Sequence, residues 1–264
     1  MQLADLFASP PIWAVLLGTL LLAVVSVEAG HRWARHKQER AGEEREREKE
    51  APVGAMVGAT LGLLAFLLAF TFGMAADGFH ERKVALLREA NAIRATHLRT
   101  AFIVEPERSE VRRILSDYVN ARLRWVGGHV GQTDSSAKDL LNQLWVQVAA
   151  AGVKAPESDT VSLFVDSAND VIKLNVERTM VRERSRIPGE FWLMLYLVAM
   201  LSLAAMGYHG GVAGPTRSPV MVAVTIAFSV VILLIVDLDR PGEGWINVSQ
   251  DAMLDLREEL RTPR

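Results

Sequence analysis

The sequence predicts an all-α membrane protein, with four transmembrane helices and a helical soluble domain inserted between the second and the third. Three observations carry that prediction. Half of the 264 residues are hydrophobic although 23% are charged, so apolar and charged residues must be segregated into blocks. Four of those blocks reach the ~20 mainly apolar residues that a helix needs to cross a bilayer. No stretch shows sustained period-two alternation, so little or no sheet is expected.

The first apolar run, Ile12 to Ala29, holds one charge, Glu28, at its far end. Its end, Val27-Glu28-Ala29-Gly30, loosely suits a cleavage site. The eleven residues before the run carry no Lys or Arg, however, and the run is long for a signal peptide. Residues 1–30 are therefore read as a retained first span. Residues 31–50 form a charged connector with seven basic and six acidic residues, including the Glu/Arg alternation of 43–50; a solvated connector suits that pattern.

Residues 51–76 make the second span, free of charge throughout. Gly54, Gly58 and Gly62 recur every four residues in it, flanked by Ala51, Ala55 and Ala59. Small residues at that spacing let helix backbones approach closely in lipid. Leu63, Phe66 and Phe70 then form a bulky apolar stripe. Either the ladder packs inside one subunit, or the helix lines an axial pore in which Phe66 and Phe70 narrow the passage and gate it by dewetting.

Residues 77–188 are expected to form the helical soluble domain. Leu86, Ala90, Ile93 and His97 share one stripe, and Val84, Leu87, Asn91 and Leu98 a neighbouring one. Pro106 suits the first turn of the next helix, where Val111, Leu115, Tyr118, Arg122 and Trp125 align until Gly127-Gly128 ends it. Ser136 with Asp139 resembles a capping box for a third helix holding Leu140, Leu144 and Val148. The fourth runs from about Asp159 to Arg186, with Phe164, Ala168, Ile172 and Asn175 aligned. Asn91 and Asn175 fall in apolar stripes, so each is expected to bond a partner on a facing helix.

Residues 189–236 hold the third and fourth spans, about Phe191–Gly207 and Ser218–Val236. Gly207, Gly210, Gly211 and Gly214 read as a tight loop between them. Residues 237–264 comprise a turn, Asp237-Leu238-Asp239-Arg240-Pro241-Gly242, and a short amphipathic helix that Ser249 can cap. Met253, Leu256 and Leu260 share one side of it, to lie on the membrane or on the soluble domain. Asp237, Asp239 and Arg240 read as an ion-paired turn rather than a cation site, which would need more oxygens.

A net charge of −2 gives no field that would draw nucleic acid. The absence of cysteine excludes disulfides and thiolate chemistry. No phosphate loop, dinucleotide glycine set, nucleophile elbow or paired metal-binding histidines appear. Neither enzymatic activity, a metal nor a cofactor is expected, and no charge at the centre of a span suggests a proton relay or voltage sensor.

The run Leu64-Ala65-Phe66-Leu67-Leu68-Ala69-Phe70-Thr71-Phe72, followed by Asp77, Arg82 and Glu89-Ala90-Asn91-Ala92-Ile93, resembles the bestrophin-like family of bacterial membrane proteins. So do Asn169-Asp170-Val171-Ile172, Asn175, Arg186-Ile187-Pro188, Asp237-Leu238-Asp239-Arg240-Pro241 and Val248-Ser249-Gln250. The resemblance covers about residues 50–256. It implies kinship with bestrophins, pentameric anion channels whose second span lines the pore. It marks Glu89, Asn91, Asn175, Asp237, Asp239 and Arg240 as structural polar positions. By the same kinship the chain would self-associate in the cell's inner membrane as a multi-pass channel for small anions, with lipid and its own copies as partners. The calcium clasp of animal bestrophins has no counterpart in two aspartates. Kinship implies a cytosolic central domain, whereas the basic residues Arg32, Arg35 and Lys37 place the connector in the cytoplasm by the positive-inside rule.

Overall fold

A computed structural model describes residues 11–41, 50–124, 132–214, 218–240 and 244–261. The Gly127-Gly128 stop, Trp125, most of the Glu/Arg alternation and Pro241-Gly242 lie outside the described residues. Eight α-helices are described, with no strand among them: α1 (Ile12–Ala41), α2 (Glu50–Arg99), α3 (Glu107–Arg124), α4 (Gln132–Lys154), α5 (Asp159–Arg184), α6 (Gly189–Ala213), α7 (Pro219–Asp239) and α8 (Asp251–Arg261). A 3-10 turn, Thr100–Phe102, follows α2. Stretches of α1, α2, α6 and α7 are long and apolar enough to cross a membrane. The chain divides into two compact units, Met1–Asp77 with Arg186–Ile246, and Gly78–Ser185 with Asn247–Arg264.

In the first unit α1 and α6 share an extensive interhelical contact. The Thr19 and Tyr196 hydroxyls lie 2.7 Å apart. A Cβ on Gly207 would collide with the Val27 carbonyl, and one on Gly30 with the Ala204 carbonyl. Gln38 Nε2 donates to the Val212 carbonyl at 3.0 Å. Residue numbers rise together on the two helices, so α1 and α6 run parallel. The seam is Ser26, Gly30 and Ala34 against Gly207 and Gly211, small residues four apart on both sides. Gly207, Gly210 and Gly211 thus belong to the third span, not to the loop expected from their clustering. Four glycines within eight residues read locally as a turn, but a backbone surrounded by other helices keeps its hydrogen bonds only by staying helical.

Against this pair α2 runs antiparallel to α6, with Gly54 beside the His209 ring and Ser202 Oγ donating to the Thr60 carbonyl at 3.1 Å. The fourth span, α7, starts at a proline with Ser218 as its N-cap, the hydroxyl accepting from Val220 N at 3.3 Å.

The second unit buries Ile93, Leu115, Tyr118, Leu144, Val148 and Phe164 completely. Of the two surfaces left open for the C-terminal helix, the structure takes the soluble one: Met253 and Leu256 of α8 are fully buried in this core. Glu107 and Glu110 occupy the first turn of α3, with Arg122 and Arg124 in its last, as the helix dipole favours. Other boundaries depart from sequence expectation as well, α1 running on to Ala41 into the expected connector. α4 begins four residues before Ser136, so that serine is not its cap. The second span and the first soluble helix are one 50-residue helix, because nothing between Asp77 and Glu81 breaks it.

Candidate functional site

Two places gather the residues that the sequence singles out. The first is a face of α2. Val57, Leu64, Leu68, Thr71 and Ala75 are buried and recur at helical spacing along one side. Opposite them Leu63, Phe66 and Phe70 are exposed by 52%, 67% and 57%. At about 100° per residue these three fall within about 60° of one another. Nothing lies within 4 Å of a Cβ built on Gly58, Gly62 or Gly73. Of the glycine ladder, only Gly54 meets another helix, 3.3 Å from His209 Cε1. Gly54 thus meets a side chain, and none of the three ladder glycines meets the backbone of another helix as Gly30, Gly207 and Gly211 do in the α1–α6 seam.

The hydroxyls of α2 do not share that face. Thr71 is buried and donates to the Leu67 carbonyl at 2.7 Å, about 140° around the helix from Phe66. Thr60 donates to the Val57 carbonyl at 3.0 Å. What α2 presents outward around Phe66 is apolar, with small residues alternating with rings.

The second place is a polar cluster in the core of the helical unit. Glu89 of α2 is fully buried. Tyr118 of α3 donates its hydroxyl to Glu89 Oε1 at 2.5 Å. Arg122, one turn on, donates from Nε and Nη2 to the two carboxylate oxygens at 3.2 and 3.1 Å. From α5, Arg178 Nε lies 3.2 Å from Glu89 Oε2. Arg178 also donates through Nη2 to the Asn175 amide oxygen at 3.0 Å, and that oxygen lies 3.1 Å from the Tyr118 hydroxyl. One carboxylate thus ties three helices together. Burial, and then the Glu89 charge, push the Tyr118 hydroxyl well above its ordinary range, so it stays a protonated donor. Both carboxylate oxygens accept hydrogen bonds, and Arg178 Nε faces the same charge as an ion pair without a hydrogen bond of its own, which is how a core accommodates a buried carboxylate.

Asn175 belongs to this cluster, whereas Asn91 does not. Asn91 is exposed and accepts from Arg94, three residues on in the same helix, at 3.2 Å. The stripe it shares with Leu87 and Leu98 faces outward, so the expected bond to a facing helix is corrected. Tyr118, Arg122 and Arg178 were missed as partners. An arginine inside the stripe Val111-Leu115-Tyr118 was the available signal, since a guanidinium there demands a carboxylate.

Asp237 and Asp239 occupy the last turn of α7, both buried. Asp237 accepts backbone N–H bonds from Trp245 at 2.7 Å and Ile246 at 2.9 Å, and Asp239 accepts from Ile187 N at 2.8 Å. A side chain at Gly244 would collide with the Asp237 carboxylate. These two carboxylates pin the segments that leave and enter the bundle; Arg240 beside them is buried as well. Among the described residues no three His, Asp or Glu side chains gather as a metal site requires.

A family model of the Bestrophin-like domain matches residues 17–253. No curated protein matches the chain. Among solved structures, a proline-to-alanine variant of a membrane protein superposes with a TM-score of 0.62 at 16% identity, over 93% of this chain and 95% of that one. An aspartate-to-alanine variant of a bacterial bestrophin homolog from Klebsiella pneumoniae gives 0.60 at 16% identity, over 94% and 97%. Identities this low carry the fold alone.

Proposed function

Because the chain belongs to the Bestrophin-like family, we propose that it is a homo-oligomeric membrane channel for small anions, with α2 lining the pore and Phe66 and Phe70 forming its narrowest part. The observation that carries this reading is the unpartnered face of α2. Among the described residues, Leu63, Phe66 and Phe70 of this transmembrane helix are each more than half exposed, and nothing lies within 4 Å of a Cβ built on Gly58 or Gly62. Copies arranged about an axis would use that face: the small residues permit close approach, and the rings supply an apolar constriction that water crosses only when it widens. The multi-pass assembly would sit in the cell's inner membrane.

Purified protein in planar bilayers should pass anions, and Phe66→Ala with Phe70→Ala should raise the conductance by removing the dewetting barrier. Silence from both proteins under varied pH and anion conditions would sink the channel. The rival is a non-conducting scaffold or sensor whose helical unit docks a partner. It is favoured by the turn of Thr60 and Thr71 away from the exposed face, which leaves that face without a hydroxyl to solvate an ion. A monomer or dimer in detergent would support it.

A further inference from the structure

The α1 helix does not stop where its apolar run stops. Trp13 near its start is 61% exposed and Trp33 is 69% exposed. Twenty residues of helix separate the two rings, about 30 Å, which is the thickness of the hydrocarbon core. Trp33 therefore stands at headgroup level, where amphipathic indoles gather. Tyr208 of α6 stands at the same level, its ring edge-on to Trp33 with centroids 5.7 Å apart.

Beyond that level α1 continues to Ala41, and residues 31–40 carry Arg32, Arg35, Lys37 and Arg40 against the single acid Glu39. The side of this segment that α6 covers holds Gly30, His31, Ala34 and Gln38. Arg32, Trp33, His36 and Lys37 are exposed and span an arc of about 140° that runs from the far side, at Arg32, to the edge of the α6 contact, where Lys37 Nζ reaches the Tyr208 hydroxyl at 3.5 Å. Glu28 engages Arg32 Nε at 2.7 Å, one turn toward the membrane interior, which holds the arginine stem along the helix. Exposed cations, an exposed indole and the headgroup plane thus coincide on one arc of α1.

We infer that this face of α1, with Arg32, Trp33 and Lys37 as its core, is a docking surface for anionic phospholipid headgroups, preferring phosphatidylglycerol over phosphatidylcholine. Phosphate oxygens of a lipid would meet Arg32 and Lys37 while its glycerol region packs on the Trp33 ring. Juxtamembrane cations of this density attract anionic lipid. The inference holds whether or not the chain conducts.

The test uses the full chain in nanodiscs of phosphatidylcholine containing an equal fraction of either brominated phosphatidylglycerol or brominated phosphatidylcholine. The Trp33 contribution to quenching is obtained by difference from Trp33→Phe. Brominated phosphatidylglycerol should quench it at least about twofold more strongly, as an electrostatic attraction of this order implies. That preference should vanish in Arg32→Gln with Lys37→Gln. In the unaltered protein it should collapse when salt is raised to about 0.5 M, where the screening length falls to a few ångströms. Equal quenching by the two lipids overturns the proposal, as does a preference that survives both the double substitution and salt. Loss of the preference on adding inorganic phosphate at constant ionic strength also overturns it, assigning the surface to free anions.

Discussion

Glu89 shows what a single side chain has to satisfy. Its carboxylate is held by a hydroxyl and two guanidiniums from two other helices, with no exposed surface. Glu89→Gln leaves two buried cations with one neutral acceptor, and breaking a buried pair on one side costs about 3–5 kcal/mol. Chemical denaturation of the full chain should register a loss of that size, while Asn91→Ala on the exposed side of the same helix should change stability by no more than about 0.5 kcal/mol. Glu107 gives a pH-dependent counterpart. Both its oxygens accept from Lys154 Nζ, at 2.6 and 2.7 Å, and that bond holds its carboxyl below the ordinary carboxylate range. A carboxyl whose folded value is depressed adds stability above its unfolded value, and loses it as pH falls through the folded one. Unfolding midpoints measured from pH 6 downward should decline less steeply in Glu107→Gln than in the unaltered protein; identical slopes would remove the ion pair from the acid response.

Among the elements, two helices carry glycines at fourfold spacing, and only one set is packed within the chain. In α6 a side chain at Gly207 meets the Val27 backbone, so Gly207→Ala should cost about 1–3 kcal/mol by overpacking. A Cβ on Gly58 of α2 meets nothing within 4 Å in its own chain; Gly58→Ala should leave the monomer's thermal midpoint unchanged and weaken self-association, read as a loss of higher oligomers by native mass spectrometry. The sequence read the α2 set as a helix-packing ladder and the α6 set as a loop, and could not say which helix face met which, because spacing reports a face and not its partner. The same limit explains Asn91: its stripe is as apolar as that of Ile93, yet about a third of a turn decides which enters the core. Helix existence was legible from periodicity. The start of α5 was legible near Asp159, where the structure has Ser158 as the cap; the start of α4 was not, since Ser136 lies inside it, nor was a boundary where α2 simply runs on.

For the whole molecule, four apolar runs and a mixed-charge insertion sufficed to read the fold class, since lipid leaves the backbone so few solutions. The candidate site was legible only as residue types: Leu63, Phe66 and Phe70 were named by their stripe, but their exposure depends on where α1, α6 and α7 lie. Native mass spectrometry of nanodisc-solubilised protein should give a closed ring of at least four subunits; a monomer or dimer would leave no shared pore. The parallel pairing of α1 with α6 has a further consequence, one of timing. Thr19 and Tyr196 are 177 residues apart, and a ribosome adding about 5–20 residues per second needs roughly 10–35 s to make the second after the first. Through that interval the α1 side of the seam has no α6 to pack against. Crosslinking from Gly30 to insertion machinery in stalled nascent chains should be strong before α6 emerges and disappear once Gly207 has entered the membrane.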